Sequence, residues 1–270
     1  MLSFKNGHSP TWYIFREEEI LVFNESNDIV LPRLPSPDML GLDPIRTKVM
    51  GFPDRSAIHW AEVNAGTEPP AGMEFTSRRH LLDVLGEEDF TPAGMAYHYM
   101  DWTRKTQFCG KCGNAMEDSP HERARLCPRC GHTVYPVISP AIIVAVEREG
   151  KILLGRSPRF PKGRYSVLAG FVEPGESLEE AVRREILEEV AVEVDQIAYF
   201  GSQPWPFPHS IMLGFTAKWK SGEIMIDENE IEDAGWYAHD EIPNTPSTRS
   251  ISGKLIRHFI ENSTGKMKDL

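Results

Sequence analysis

The chain has no apolar run near the roughly 20 residues needed to span a bilayer. Its opening stretch, MLSFKNGHSPTWYIFREEE, lacks the apolar core of a signal peptide. Both absences argue against a membrane or secreted protein and lead us to expect a cytoplasmic one, in a compartment where thiols stay reduced. Positive charge is short as well. The 29 Lys and Arg against 40 Asp and Glu leave a net charge of −11. That balance argues against an electrostatically driven nucleic-acid binder, though it does not bar a local basic pocket from handling a nucleic-acid end. There are no internal repeats or low-complexity tracts. With 40% apolar and 26% charged residues, the 270-residue chain is ordinary for a globular protein, and its length favours two domains over one.

Cysteine is scarce, and its placement is therefore informative. The four present, Cys109, Cys112, Cys127 and Cys130, form two C-x-x-C knuckles separated by fourteen residues. Two such knuckles close together predict a tetrahedral Cys₄ zinc ribbon, with all four positions filled by protein and none left open for catalysis. Gly110, Gly113 and Gly131 allow the backbone turns that knuckles require. A pair of disulfides and a redox C-x-x-C are the competing readings. Reducing surroundings disfavour the first, and the presence of two pairs disfavours the second.

Acidic charge is concentrated between Gly170 and Val192, GFVEPGESLEEAVRREILEEVAV. Ser177 and Glu180 have the spacing of a capping box, so a helix should start there and run unbroken through Val190. At about 100° per residue, Glu185, Glu188 and Glu189 share one face, while Val182, Ile186, Leu187 and Val190 turn toward a core. Like charges at this spacing repel by about 0.2–0.5 kcal/mol per pair. A hard divalent cation, Mg²⁺ or Mn²⁺, would convert that repulsion into attraction. Glu176, in the preceding turn, can point at the same place. The competing reading is a solvated acidic face.

A third feature is Ser202 to Met212, SQPWPFPHSIM. We expect a loop stiffened by three prolines that holds Trp205 and Phe207 apart, suited to stacking on a flat ring, with Gln203 and Ser210 supplying hydrogen bonds. A proline-rich edge loop whose aromatics pack on the core fits the composition as well.

Elsewhere, the expected elements are a hairpin of residues 19–23 and 28–31 turning across Asn24 to Asn27, a strand at 57–61, and helices at 75–85 and 91–103. Residues 31–37 and 67–72 read as loops. Further on, strands are expected at 141–146, 151–154, 197–200, 211–218 and 234–238. Residues 166–171 lead into the acidic helix, and a last helix covers 250–261.

The spacing of Gly170, Glu176, Arg184-Glu185, Ile186, Glu188-Glu189 and Val192 resembles the Nudix box. Ala191 departs from it, because the family pattern has Gly there. The stretch S-Q-P-W-P-F-P-x-S resembles the motif that marks the NADH pyrophosphatase (NAD-capped RNA hydrolase) branch of that family, with His209 where a familiar form has Gln. The resemblance implies an α/β fold: a Nudix α/β/α sandwich (138–270) preceded by a Cys₄ zinc ribbon (106–137) and an N-terminal α+β domain (1–105). It implies hydrolysis of the diphosphate of NADH or NAD⁺, or removal of a 5′ NAD cap from RNA, by a homodimer. A broader hydrolase acting on ADP-ribose or dinucleoside polyphosphates, and a Nudix-fold sensor without turnover, are the rivals. The first is disfavoured by the S-Q-P-W-P-F-P stretch, the second by the intact glutamates.

Carried over residue by residue, the resemblance implies Mg²⁺ or Mn²⁺ ligands at Glu185, Glu188, Glu189, the Ala169 main chain and Glu230, with Glu188 or Glu189 as base. It implies substrate contacts at Gln203, Pro204, Trp205, Pro206, Phe207, Pro208, His209 and Ser210. Glu122, Tyr135 and Ser252 match further contact positions, and Arg79 and Arg33 match by arrangement only.

Overall fold

In the computed structural model, which describes residues 9–25, 28–52 and 55–265, the chain divides into two compact units, Met1–Val137 and Ile138–Leu270. Among the described residues, no helix is long and apolar enough to cross a membrane.

In the first unit, strands β1 (Trp12–Arg16), β2 (Glu19–Glu25), β3 (Asp28–Val30), β4 (Arg46–Phe52), β5 (Arg55–Glu62) and β6 (Met73–Ser77) form one sheet. Its order is β3-β2-β1-β5-β4, with β6 on β2, and only β1 and β5 run parallel. Side chains alternate between two faces, as strand pleating dictates. Phe15, Ile20, Ile58 and Trp60 pack under helices α1 (Arg78–Val84) and α2 (Glu87–Lys105), against Leu81, Tyr97 and Met100. Trp12, Ile14, Leu21 and Ala61 pack on the other side.

Three expectations for this region are corrected. Residues 75–77 are strand, because Phe75 pairs with Leu21 in the ladder and the helix begins only after the Ser77 hydroxyl accepts the Arg79 amide N–H. The second helix starts a turn before Thr91, at Glu87, and its Phe90 packs on the core cluster. The first hairpin is tighter than expected. Asn24 and Glu25 stay in β2, pairing with Ile29 and Asp28, and the remaining turn residues 26–27 lie outside the described residues. The Cys-rich segment that follows adds a small sheet of β7 (Glu117–Asp118), β8 (Arg125–Leu126) and β9 (Thr133–Val134).

The second unit is built on β10 (Ser139–Arg148), β11 (Lys151–Arg156), β12 (Leu168–Phe171), β13 (Glu193–Trp205), β14 (Ser210–Ser221) and β15 (Asp233–Ala238). The sheet order is β13-β14-β10-β11-β15, with β12 also on β10, and β10 and β14 run parallel. The unbroken apolar run of β10 is explained by burial on both faces. Ile142, Val144 and Val146 meet helix α3 (Leu178–Val190) through Val182, Ile186 and Val190. Ile143 and Ala145 meet helix α4 (Ile251–Ser263) through Leu255, Ile256 and Phe259. The result is a helix layer on each side of the sheet. Leu187 does not join the core as expected; it is 51% exposed, since its position on α3 turns outward with the charged face.

Candidate functional site

The acidic helix starts as the sequence requires. The Ser177 hydroxyl accepts the Glu180 N–H at 3.3 Å, and the Glu180 carboxylate accepts the Ser177 N–H at 2.8 Å. At its other end Ala191 is in the left-handed region, φ 57°, where the family pattern places Gly. The segment after β14 is laced to this end: Met225 N–H donates to Val190 and Asp227 N–H to Glu189, each at 3.0 Å. Buried Ile231 anchors the segment, and Glu230 is thereby carried to the acidic face.

Of the shared-face glutamates, Glu185 and Glu189 are buried while Glu188 is exposed. Arg184 organises their surroundings. It forks onto Glu176 through Nε and Nη2, and donates to Glu185 at 2.9 Å, to Glu188 at 3.0 Å and to the Phe171 carbonyl at 2.9 Å. The Arg184 hydrogen bonds hold the Glu176 carboxyl down at about 2. Glu176 thus shares the Arg184 guanidinium with Glu185 and Glu188.

Among the described residues, Glu189 has no such cation. Burial, then the charges of Glu185, Glu230 and Glu188, push its carboxyl up to about 8, and its Oε2 is buried without a hydrogen-bond partner. Burial also raises Glu185, against the pull of Arg184. A buried carboxylate oxygen left unpaired among three other carboxylates is costly unless something cationic meets it. The donor set is all oxygen, which suits a hard divalent ion. Ala169 sits on β12 opposite Ile143, next to Gly170, over which the Glu185 carboxylate packs.

The Cys-rich segment meets the demands of zinc more completely. Its four Sγ atoms lie within 4.8 Å of one another, the only such group of three or more Cys, His, Asp or Glu ligand atoms among the described residues. The Cys109–Cys130 and Cys112–Cys127 separations are 3.7 and 3.5 Å. A tetrahedron with 2.3 Å Zn–S bonds has edges of about 3.8 Å, whereas a disulfide needs about 2.05 Å. Each knuckle closes the same way: Gly113 and Gly131 take φ of 72° and 71° and donate to the Cys109 and Cys127 carbonyls. Beside the ribbon, the exposed Tyr135 hydroxyl donates to Glu122 at 3.0 Å.

The S-Q-P-W-P-F-P segment differs from the expected loop. Residues 202–205 continue β13, Ser210 opens β14, and Trp205 pairs with Ser210 across a tight hairpin. Pro204 is tolerated in the ladder because β13 is an edge strand. Trp205 and Phe207 are not held apart; their rings meet edge to face at 5.1 Å. Nor is Gln203 unoccupied. Its amide donates to the Arg249 carbonyl at 2.8 Å and accepts the Ile251 N–H at 2.7 Å, which fixes the start of α4. Ser252, in the first turn of that helix, is buried against Ser166, Oγ to Oγ 2.7 Å. His209 Nδ1 lies 3.2 Å from the Ser139 hydroxyl, and Pro206 is buried within the turn while Pro208 is exposed. Arg33 and Arg79 are exposed in the first unit. In the sequence Gly170 and Arg184 stand out only as pattern positions, and nothing there marks Phe171, which is 58% exposed at the end of β12.

The site and its frame define a class. The profile described as the NUDIX domain matches residues 138–259, and that described as the NADH pyrophosphatase zinc ribbon domain matches residues 104–135. The chain belongs to the Nudix hydrolase family. Among curated relatives, it is similar to the NAD-capped RNA hydrolase NudC of Pseudomonas aeruginosa strain LESB58, 46% identical over 77% of this chain and 74% of that protein. It is also 41% identical to the protein of the same name from Pseudomonas fluorescens strain Pf0-1, over 94% of this chain and 91% of that one. A solved Nudix hydrolase from Nitrosomonas europaea shares the fold, with a TM-score of 0.51 at 24% identity over 59% of this chain and 93% of that one.

Proposed function

We propose that this chain hydrolyses the diphosphate of NADH or NAD⁺ to AMP and the nicotinamide mononucleotide, and removes the same dinucleotide from the 5′ end of RNA. The names of its relatives and of its zinc-ribbon class support this reading. The observation that carries it is the unpartnered, buried Oε2 of Glu189 among Glu185, Glu188 and Glu230.

In this reading Glu185, Glu189, Glu230, Glu188 and the Ala169 carbonyl hold Mg²⁺ or Mn²⁺. When bound, such an ion polarises phosphoryl oxygens and lowers the pKa of an attacking water. Arg184 keeps Glu185 and Glu188 in place and commits Glu176 to a supporting role. Glu188, exposed where Glu185 and Glu189 are buried, takes the proton of the water. Trp205 and Phe207 present one edge-to-face unit to a ring of the substrate, while Gln203 acts by fixing the start of α4 and Ser252 lies in that helix's first turn. Glu122 and Tyr135 form a further substrate contact, with His209 and Ser210 at the hairpin turn. Zinc in the Cys₄ ribbon is structural. Residues 1–105, 106–137 and 138–270 are proposed as separate functional divisions of a cytoplasmic homodimer.

The test is product separation after incubation with NADH, NAD⁺, ADP-ribose and NAD-capped RNA, each with Mg²⁺ or Mn²⁺. AMP release from NADH that is lost in Glu188→Gln supports the reading. Turnover of ADP-ribose alone, or binding without product, overturns it.

A further inference from the structure

Between Glu149 and Glu173 the chain has no acidic residue and five cations, Lys151, Arg156, Arg159, Lys162 and Arg164, within a protein of net charge −11. Elsewhere in the same unit Arg148 pairs with Glu223, Lys218 with Glu147, Lys220 with Glu193 and Arg257 with Glu261. Arg156 is likewise paired, with Glu232. The side chains of Arg159, Lys162 and Arg164 have no ion pair or hydrogen bond among the described residues, and Phe160 stands among them 39% exposed.

These residues form a defined loop. Gly155 and Ser166 exchange two backbone hydrogen bonds of 2.9 Å, closing a neck below residues 156–165. Inside it the Phe160 N–H donates to Ser157 and the Arg164 N–H to Pro161, with Gly163 at φ 81° permitting the second turn. Compact surface loops whose ends are joined in this way are frequently functional. The neck is tied to the acidic site. Arg156 faces Asp233 in the β11–β15 ladder, the Glu232 N–H donates to the Arg156 carbonyl at 2.8 Å, and the Tyr165 hydroxyl bonds Asp233. Glu230 is two residues before Glu232 in sequence, so the loop leaves the sheet on the Glu230 side of the site.

We propose that loop 157–164 is a contact surface for the single-stranded RNA that follows a dinucleotide cap, with Arg159, Lys162 and Arg164 on successive phosphates and Phe160 under a base. Unpaired cations around one exposed ring are the combination that single-stranded nucleic acid requires, because the backbone supplies repeating charge and each base supplies a flat face. This assignment rests on the reading of the chain as a hydrolase of NAD-capped RNA. It explains how a strongly acidic protein admits a polyanion without a basic surface overall: the attraction is confined to the rim beside the metal-holding glutamates, where a 5′ end must arrive.

Two measurements separate this claim from the one it rests on. The first is fluorescence anisotropy of an uncapped, labelled single-stranded RNA of about ten nucleotides, with wild type, Arg159→Ala/Lys162→Ala and Phe160→Ala. The second is NADH turnover by the same three proteins. The expected result is roughly tenfold weaker RNA binding in each variant. For the double-cation variant, the slope of log affinity against log salt should also be shallower by about 1.4. NADH turnover should stay within about twofold of wild type, because the loop touches only the tail. Unchanged RNA binding in both variants overturns the assignment, as does a proportional loss of NADH turnover, or a loss of binding to anionic phospholipid vesicles in place of RNA. If wild type fails to cleave NADH, the hydrolase reading fails on its own, and the RNA-binding comparison still decides the loop.

Discussion

A methyl group placed on Gly170 would lie 1.9 Å from Cδ of Glu185 and 2.1 Å from each of its carboxylate oxygens. The glutamate therefore rests on a glycine whose missing side chain is its seat, one residue beyond Ala169. Gly170→Ala should displace the Glu185 carboxylate without unfolding the sheet, since no left-handed backbone is involved. We expect a fall of roughly tenfold to a hundredfold in cation affinity and NADH turnover, the usual effect of disturbing the support of a metal ligand. Calorimetric cation titration beside a circular dichroism melt checks both halves.

Ala191 ends the acidic helix at φ 57°, and Gly222 approaches it so closely that an added Cβ would be 2.5 Å from its carbonyl oxygen. A non-Gly residue in the left-handed region costs about 1–2 kcal/mol, part of which is offset by glycine's extra freedom when unfolded. Ala191→Gly should stabilise the protein by about 0.5–1 kcal/mol with turnover unchanged. Gly222→Ala should destabilise it by more, because φ there is 91° and the carbonyl is backbone. Urea denaturation of the two variants measures the contrast.

Glu189 supplies a pH dependence. Its carboxyl is raised from 4.5 to about 8 by burial and by Glu185, Glu230 and Glu188. A group raised on folding favours the folded state fully below its unfolded value, and that advantage is lost as pH rises through the folded value. The cation-free protein should therefore lose stability between about pH 4.5 and 8, and saturating Mn²⁺ should remove the loss. Cation affinity should climb over the same range with proton release, read as buffer-dependent heat in calorimetry.

The four cysteine sulfurs should hold one zinc. Native mass spectrometry should find one zinc per chain, abolished in Cys127→Ala along with the thermal stability of the ribbon. Detection of two disulfides in freshly purified protein would contradict the assignment.

The two faces of the second sheet were legible because β10 is an uninterrupted apolar run and α3 announces itself through Ser177 and Glu180. Spacing likewise brought Glu185, Glu188 and Glu189 to one face. What spacing could not say is which of them is buried, or that one guanidinium, Arg184, joins Glu176 to Glu185 and Glu188, because a long flexible side chain chooses its partners only after the chain has folded. Prolines misled the reading of residues 202–210. They suggest a loop, yet an edge strand tolerates a residue without an N–H, so the ladder runs on to Trp205 and the turn is short. Gln203 shows the same limit: its partners lie 46 and 48 residues away, beyond any local pattern. Strand β6 was missed, and its residues 75–77 read as helix, because Phe75 gains its place from pairing with Leu21, a contact between distant residues.

The most direct test of the account is an anomalous difference map from crystals of the protein soaked in Mn²⁺. A peak bound by Glu185 and Glu189, strengthened by a non-hydrolysable dinucleotide and absent in Glu189→Gln, is the predicted result. A map with no peak beside those two side chains, with dinucleotide present, would contradict it.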